Sequence, residues 1–166
     1  AQAVDSAVAL VRAGAAAVKL EGDYCEEIAA IVKAGIPVMG HVGMTPQSVN
    51  AFGGFRVQGR GESGERVVQE ALQLEQAGAF AIVLELIPSE LASEITGKLN
   101  VPTIGIGAGP ACSGQIQVWH DVLGLATETF KHAKRYLDSS ALFEQALRSY
   151  AQEVRSESFP TEENSF

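Results

Sequence analysis

The chain has 166 residues, of which 46% are hydrophobic, and this composition suits a globular protein that buries a core in a single domain covering 1–166. Its 20 acidic and 12 basic residues give a net charge of −8, which repels phosphate backbones, so we expect no nucleic acid partner. No apolar run approaches the roughly 18 to 20 residues of a membrane-spanning helix, and the alanine-rich start lacks the pattern of a signal peptide, so we expect a cytoplasmic protein without a membrane partner.

Short apolar runs alternate with amphipathic segments along the chain. We predict strands at 16–20, 37–40, 81–84, 103–106 and 115–118. The segments between them carry apolar residues at helical spacing. A residue that tolerates left-handed backbone stands at four junctions from helix to strand, as a helix C-cap requires. These junction residues are Gly14, Gly35, Gly78 and Asn100.

The predicted strands are mostly continuous apolar runs rather than alternating ones. Such runs are typical of strands that are covered on both faces in a parallel sheet. Repeated helix and strand units with a parallel sheet form either a doubly wound sheet or part of a (β/α)8 barrel, and periodicity alone does not separate these two folds. The sequence therefore predicts the α/β class and leaves both architectures open.

One connection is much longer than the others. It runs from 41 to 64 and is rich in Gly, Gln, Ser and Asn, which predicts an active-site loop. Near the end of the chain, apolar residues at helical spacing after Asp138 predict a capped helix that closes the domain. The tail at 156–166 is polar, and we expect it to be mobile or packed on a neighbouring subunit.

Polar side chains follow three of the predicted strands. Reactive groups of parallel α/β proteins gather at the carboxyl ends of the strands. The residues at these positions are Lys19, Glu21, His41 and Glu85. Lys19 and Glu21 are two residues apart and therefore point the same way on a strand. Such a pair could hold an anionic substrate together with a divalent cation, and a surface ion pair is the competing interpretation.

Glu85 and His41 each have a functional and a structural interpretation. Apolar residues surround Glu85 in sequence, and loss of hydration makes a carboxylate a stronger base, which would suit a general base. A solvated loop glutamate is the alternative. His41 is compatible with catalysis, although a lone histidine is more often a hydrogen-bonded packing residue.

Three other features carry weaker signals. His120 and Asp121 form an adjacent pair that could bind a metal, but a structural pair at the end of a strand is favoured. The glycine-rich run 105–109 lacks the GxGxxG spacing of a dinucleotide site, so its backbone either approaches an anion or a pterin or forms a tight loop. Cys25 and Cys112 show no zinc-binding spacing, and reduced thiols are favoured over a disulfide.

Several segments together resemble the signature of the ketopantoate hydroxymethyltransferase family. In the first half of the chain they are VKLEG at 18–22, HVGMTPQS at 41–48, Asn50, FGG at 52–54 and VQGRG at 57–61. In the second half they are LELIP at 84–88, PTIGIGAG at 102–109, QIQVWHD at 115–121 and FPTEENSF at 159–166. They occur in the order of the family over nearly the whole chain, which makes the combination far more specific than any one segment.

The resemblance implies a (β/α)8 TIM barrel of the phosphoenolpyruvate/pyruvate superfamily, of which this chain would be the five C-terminal βα units. Family members carry three earlier strands with a GDS motif and a further aspartate, which supply magnesium ligands and substrate contacts. A full barrel needs roughly 250 residues, so we expect a fragment that is inactive alone. The family also implies a homo-oligomer, which is a decamer in bacteria.

The implied activity is transfer of a hydroxymethyl group from 5,10-methylenetetrahydrofolate to 3-methyl-2-oxobutanoate, which gives 2-dehydropantoate and tetrahydrofolate in pantothenate biosynthesis. By matching motif, Lys19 would bind the keto acid, His41 would contact substrate, and Glu21 would belong to the Mg²⁺ site. Glu85 would be the proton acceptor, and no residue is assigned to the folate. Mg²⁺ prefers hard oxygen ligands, and it would act as a Lewis acid that stabilises an enolate.

Two other functions stay open. A Schiff-base aldolase would use Lys19 as its nucleophile, because a lysine at the end of a barrel strand is a common place for one. A non-catalytic half-barrel that binds only a ligand or a partner subunit would agree with the missing magnesium ligands.

Overall fold

The computed structural model describes residues 1–51 and 53–166. Phe52, the first residue of the FGG segment, lies outside the described residues. The chain divides into two units, Ala1–Ile116 and Gln117–Phe166. That the whole chain forms one domain stays a prediction.

Within its described residues, 1–51 and 53–116, the first unit contains a parallel five-stranded sheet and four α-helices. Its strands are β1 (Val18–Lys19), β2 (Val38–Gly43), β3 (Ala81–Glu85), β4 (Thr103–Ile106) and β5 (Gly114–Gln115). Its helices are α1 (Gln2–Arg12), α2 (Cys25–Lys33), α3 (Ser63–Gln76) and α4 (Ser89–Lys98). The predicted alternation of helices and strands is therefore confirmed.

The strands lie in the sheet in the same order as in the chain, and every neighbouring pair is parallel. A doubly wound sheet reverses its strand order at a switch point, whereas consecutive strands of a (β/α)8 barrel are neighbours. The predicted α/β class is confirmed, and the strand order is that of a barrel segment.

The two faces of the sheet have different roles. Alternate strand residues pack with the helices in the hydrophobic core, and these are Val18, Val38, Val42, Ile82 and Leu84. Successive side chains of a strand point to opposite faces. Lys19, His41 and Glu85 occupy the other set of alternate positions. They therefore lie on the face that is turned away from the helices.

Strand β2 is longer than the sequence predicts. The apolar run predicts a strand at 37–40, but β2 continues to Gly43 because its ladder with β3 reaches the Gly43–Glu85 pair. His41 therefore lies within a strand, and the prediction that the loop begins at 41 is wrong. The connection contains a short 3-10 helix at Pro46–Ser48 and ends where α3 begins.

The two edge strands are shorter than predicted. β1 covers two residues, Val18–Lys19, of the strand predicted at 16–20. β5 also has two residues, Gly114–Gln115, and shares only Gln115 with the strand predicted at 115–118. Each pairs with a single neighbour, β2 for the first and β4 for the second. Since only the paired residues belong to the ladder, the apolar runs extend beyond the strands themselves.

Three of the four predicted helix-to-strand turns use left-handed glycines. Their φ angles are 106° at Gly14, 85° at Gly35 and 100° at Gly78. The prediction for Asn100 is wrong, because this residue has no positive φ. Oε1 of Glu75, at the end of α3, accepts hydrogen bonds from the backbone N–H groups of Asn100 at 2.6 Å and Val101 at 3.0 Å. This carboxylate satisfies the turn and makes a left-handed residue unnecessary.

The second unit contains two helices. Helix α5 (Trp119–Leu123) ends at Gly124, which is left-handed with a φ of 70°. Helix α6 (Ser139–Arg155) begins after Asp138, whose carboxylate accepts a hydrogen bond from the N–H of Ala141 at 3.4 Å. The predicted capped helix is therefore confirmed.

The tail after α6 contains a short 3-10 helix at Glu162–Asn164. Its mobility, or its packing on a neighbouring subunit, stays a prediction. With 17 residues α6 is the longest helix, and none within residues 1–51 and 53–166 combines the length and apolar character needed to cross a membrane.

Candidate active site

Four side chains selected from the sequence meet at the carboxyl ends of β1, β2 and β3. Nζ of Lys19 lies 2.5 Å from Oε1 of Glu21 and 3.1 Å from Nδ1 of His41. Nε2 of His41 lies 3.3 Å from Oε2 of Glu85. The structure thus brings together every residue that the sequence selects for this site, while their individual roles stay predictions.

The register of the sheet explains why these residues meet. Lys19 pairs with Met39, and His41 follows Met39 by two residues on β2. His41 in turn pairs with Val83, which precedes Glu85 by two residues on β3. A step of two residues returns a side chain to the same face of a strand. The polar side chains at the ends of three neighbouring parallel strands therefore lie at one edge of the sheet and on one face.

The four side chains differ in their access to solvent. His41 is only 2% exposed, whereas the side chain of Lys19 is 40% exposed. Glu21 and Glu85 are largely covered, with 11% and 13% of their side chains exposed. A cavity of about 480 Å³ beside β1 is lined in part by Lys19, Glu21 and Gln47. The rest of its lining comes mainly from α1 and α2, and neither His41 nor Glu85 lines it.

Glu21 is held as an anion by its surroundings. Burial alone would raise its pKa, but hydrogen bonds from Lys19 and from the backbone N–H of Gln47, at 3.2 Å, outweigh that effect and lower the pKa below 4.5. The positive charge of Lys19 acts in the same direction. Gln47 was not selected from the sequence, because its contribution is a backbone group that reaches Glu21 across 26 positions.

Replacing Lys19 with Met is expected to raise the pKa of Glu21. The variant lacks the hydrogen bond and the positive charge that lower this pKa, while the burial that raises it remains. The lowered pKa of Glu21 in the present protein also makes the stability of the fold depend on pH. A carboxylate whose folded-state pKa is lowered stabilises the fold above its ordinary pKa, and that stability is lost as the pH falls through the folded-state value. A ¹³C NMR titration of the Glu21 carboxyl group, without divalent cations, measures the change. An unchanged pKa would show that Lys19 does not stabilise the anion, and Lys33→Met on the exposed end of α2 is the control.

Glu21 is chemically suited to a magnesium ion but does not form a site by itself. Its oxygens are hard donors, and Mg²⁺ commonly takes one or two carboxylates while it keeps several waters. Among the described residues, no group of three or more His, Cys, Asp or Glu side chains could hold a metal ion. Glu21 therefore fits the part of one protein ligand in a larger set, and the described residues do not supply the rest of that set.

The backbone next to Glu85 is closely packed against Gly43. The N–H of Met44 donates to the carbonyl of Glu85 at 2.8 Å, and Gly43 has a φ of 91°. A Cβ atom on Gly43 would lie 2.3 Å from that carbonyl oxygen and 2.7 Å from Cγ2 of Ile87. Only glycine allows this approach without displacing β3. Gly43 falls in the predicted loop at 41–64, and no local pattern in the sequence indicates this packing.

Leu86, directly after Glu85, adopts a left-handed backbone with a φ of 47°. Left-handed conformations are unusual for residues other than glycine and occur often near functional sites. The N–H of Leu86 donates to the carbonyl of Ile106 at 2.9 Å, and its own carbonyl accepts from the N–H of Gln58 at 2.8 Å. These two bonds fix the chain on the C-terminal side of Glu85. No pattern in the sequence indicates this conformation.

Substituting Ala for Gly43 is expected to lower the free energy of unfolding by about 3 kcal/mol, because left-handed strain of about 1–2 kcal/mol adds to a steric overlap of about 1–3 kcal/mol. Gly35→Ala is a matched control. Gly35 has a similar φ of 85°, but a Cβ there would meet no atom within 4 Å. Urea denaturation of both variants gives the comparison. Equal losses of stability would contradict a special packing role for Gly43.

The two weaker candidates from the sequence have local surroundings of their own. His120 and Asp121 lie in helix α5, not at the end of a strand, and the His120 ring centroid is 3.9 Å from that of Trp119. In the glycine-rich run, a Cβ on Gly109 would lie 2.5 Å from Cβ of Ser89, at the start of α4. That close approach favours the tight-loop interpretation of the run.

Neither cysteine forms a disulfide. Burial, together with the hydrogen bond that the thiol donates to Asp23 at 3.2 Å, raises the pKa of Cys25 to about 11. Cys25 is therefore a protonated and weakly nucleophilic thiol at neutral pH. Both observations agree with the predicted reduced state.

Comparison with known proteins identifies relatives over almost the whole chain. The family model described as ketopantoate hydroxymethyltransferase matches residues 1–162. A Mycobacterium bovis protein named 3-methyl-2-oxobutanoate hydroxymethyltransferase is 53% identical over 92% of this chain and 56% of its own length. A protein of the same name from Mycobacterium sp. (strain KMS) is 52% identical over 95% of this chain and 57% of its own length. The chain thus spans about half the length of the curated relatives it matches.

Similarity to solved structures is much weaker. YagE, a prophage protein of the dihydrodipicolinic acid synthase family from E. coli K12 solved in complex with pyruvate, gives a TM-score of 0.39 at 16% identity. The match covers 63% of this chain and 36% of that one. This similarity is too low to assign a fold or a ligand.

Proposed function

This chain belongs to the ketopantoate hydroxymethyltransferase family, and from that premise we propose that it carries the central catalytic groups of an enzyme that transfers a hydroxymethyl group to 3-methyl-2-oxobutanoate. The family is part of the phosphoenolpyruvate/pyruvate superfamily of TIM barrels. The observation that carries the proposal is the convergence of Lys19, Glu21, His41 and Glu85 at the carboxyl ends of three parallel strands. Because the chain spans about half of its relatives, the activity is proposed for the complete enzyme.

Lys19 is proposed to bind the keto acid. Its side chain is the most exposed of the four, and Lys19 is one of the residues that line the cavity beside β1. A charge-assisted hydrogen bond to the substrate carboxylate would be stronger than one between neutral groups. Glu21, which already contacts this ammonium group, keeps it at the mouth of the site.

Glu85 is proposed to remove the proton from C3 of the keto acid. Its carboxylate is largely covered by protein, so little water competes with substrate for its oxygens. The electron pair left on C3 then forms a carbon–carbon bond with the methylene group of 5,10-methylenetetrahydrofolate. The carbon–nitrogen bonds of that methylene break in the overall transfer, and a water molecule supplies the hydroxyl group of 2-dehydropantoate. Tetrahydrofolate is the other product.

Glu21 is proposed to supply one ligand to a Mg²⁺ ion. When bound, this ion would provide Lewis-acid chemistry by withdrawing electron density from the carbonyl oxygen of the keto acid. The hydrogen bonds from Lys19 and from the N–H of Gln47 support this role, because they stabilise the charged form of the carboxylate. Since Glu21 is one ligand of an otherwise unassigned set, the 166 residues alone are expected to be inactive. We further propose a cytoplasmic homo-oligomer, with its folate pocket unassigned.

A fusion protein tests this function. The residues that precede the matched region in the Mycobacterium bovis relative are placed before residue 1 of this chain, and the fusion is incubated with Mg²⁺, 3-methyl-2-oxobutanoate and 5,10-methylenetetrahydrofolate. Mass spectrometry should detect 2-dehydropantoate, and this product should be absent for the 166 residues alone. A folded fusion that forms no product would instead support a non-catalytic, ligand-binding half-barrel.

A further inference from the structure

The contact between Lys19 and His41 determines the protonation of the imidazole. An ammonium group has only hydrogen-bond donors, so Nδ1 of His41, at 3.1 Å from Nζ of Lys19, has to accept. Glu21 lies farther from Nδ1, at 3.8 Å, and therefore does not displace Lys19 as its nearest charged partner. A neutral ring that accepts at Nδ1 carries its proton on Nε2. The geometry thus points to the Nε2–H tautomer of His41.

The proton on Nε2 faces Glu85 from inside the protein. Nε2 is a fully buried atom that forms no aligned hydrogen bond with any described residue, although Oε2 of Glu85 is only 3.3 Å away. Nε2 and the Glu85 carboxylate are therefore close together, but their relative orientation does not allow a hydrogen bond. Buried N–H groups are rarely left without an acceptor, and catalytic hydrogen bonds often tighten only when substrate binds. A small rotation of the Glu85 carboxylate would complete this bond.

We propose that His41 is a positioning residue that links the substrate-binding Lys19 to the base Glu85. It accepts from the ammonium group on one side and donates to the carboxylate on the other, and thereby sets the distance between the two groups that act on the keto acid. This inference rests on the proposed function for its kinetic consequence. It differs from the substrate contact that the family resemblance implies, because a side chain with 2% exposure and both nitrogens directed at protein groups has little surface to offer a ligand.

The tautomer is tested on the 166-residue chain itself by ¹⁵N NMR of histidine-labelled protein at neutral pH, without divalent cations. The expected result is an unprotonated Nδ1 and a protonated Nε2 for His41, whose signals are assigned with the His41→Asn variant. A proton on Nδ1 would overturn the proposal. This measurement does not require enzymatic activity, and it uses the variant only to assign the signals. Its result is therefore independent of the fusion assay.

Two amide substitutions then separate the two hydrogen bonds in the fusion enzyme. The carbonyl of Asn in His41→Asn can replace Nδ1 as the acceptor for Lys19, but no group remains to reach Glu85. The amide of Gln in His41→Gln can replace Nε2–H as the donor to Glu85, but the acceptor for Lys19 is lost. We expect His41→Asn to lower kcat about 10-fold with little change in KM for the keto acid, by loss of one charge-assisted hydrogen bond. We expect His41→Gln to raise this KM about 10-fold and to keep most of kcat.

Equal effects of the two variants on kcat and KM would overturn the positioning role. A direct contact with substrate would raise KM in both variants, and a purely structural role would lower stability in both without separating the kinetic constants. Thermal unfolding of the two proteins therefore accompanies the kinetics. If a functional fusion cannot be made, the tautomer measurement alone decides whether the proposed arrangement exists.

Discussion

Replacing Glu85 with Gln is expected to lower kcat of the complete enzyme roughly 10²- to 10⁴-fold, which is the usual contribution of a general base. The amide has nearly the shape of the carboxylate, and its carbonyl keeps an acceptor next to Nε2 of His41. KM for the keto acid should therefore change by no more than a small factor. The variant would bind the substrate and fail to remove the proton from C3.

Steady-state kinetics of the fusion enzyme measure this effect. Glu90→Gln is a suitable control, since Glu90 is an exposed carboxylate in the first turn of α4, five residues along the chain from Glu85. A second measurement follows exchange of the C3 proton with deuterated water in the absence of folate, which isolates the proton-transfer step. If Glu85→Gln retained full kcat or full exchange, another group would have to be the base.

Replacing Lys19 with Met is expected to raise KM for the keto acid roughly 10- to 150-fold, because a hydrogen bond to a charged group contributes about 1.5–3 kcal/mol. Met fills a similar volume but offers neither a charge nor a donor. Lys33→Met, which removes an exposed charge at the end of α2, should leave KM unchanged. A KM within the error of the unmodified enzyme would remove Lys19 from the substrate site.

The same lysine also decides between the proposed mechanism and a Schiff-base aldolase. A Schiff-base nucleophile has to be a neutral amine, and it is commonly activated in an apolar pocket or beside another cation. Lys19 instead lies beside a carboxylate, at 2.5 Å from Glu21, and is 40% exposed. We therefore expect no covalent adduct on Lys19 after treatment with the keto acid and borohydride. A mass increase on the peptide that contains Lys19 would favour the aldolase.

The sequence predicted the candidate site because the site depends on simple periodicity. Lys19, His41 and Glu85 each lie at the end of an apolar run, and a parallel sheet places such ends at one edge. In the barrel that the family resemblance implies, strands that are consecutive in the chain are neighbours in the sheet. Those two rules are sufficient to bring the side chains together without knowledge of any long-range contact.

The features that the sequence did not predict depend on contacts between distant residues. Gly43 has no room for a side chain because the carbonyl of Glu85 approaches it from another strand. Asn100 needs no left-handed conformation because Glu75, 25 positions earlier, caps the turn. The extension of β2 through His41 depends on its register with β3. None of these pairings is visible in local composition, since each requires two segments to be in place.

The separation of the two faces of the sheet has an evolutionary consequence. Val38 and Val42 are anchored among the helices, whereas His41 lies on the face that carries the reactive groups. Adaptation to a new substrate could therefore proceed through changes on the reactive face while the residues that keep the protein folded are inherited unaltered. Substitutions on the reactive face can therefore change the chemistry with a reduced risk of unfolding the protein.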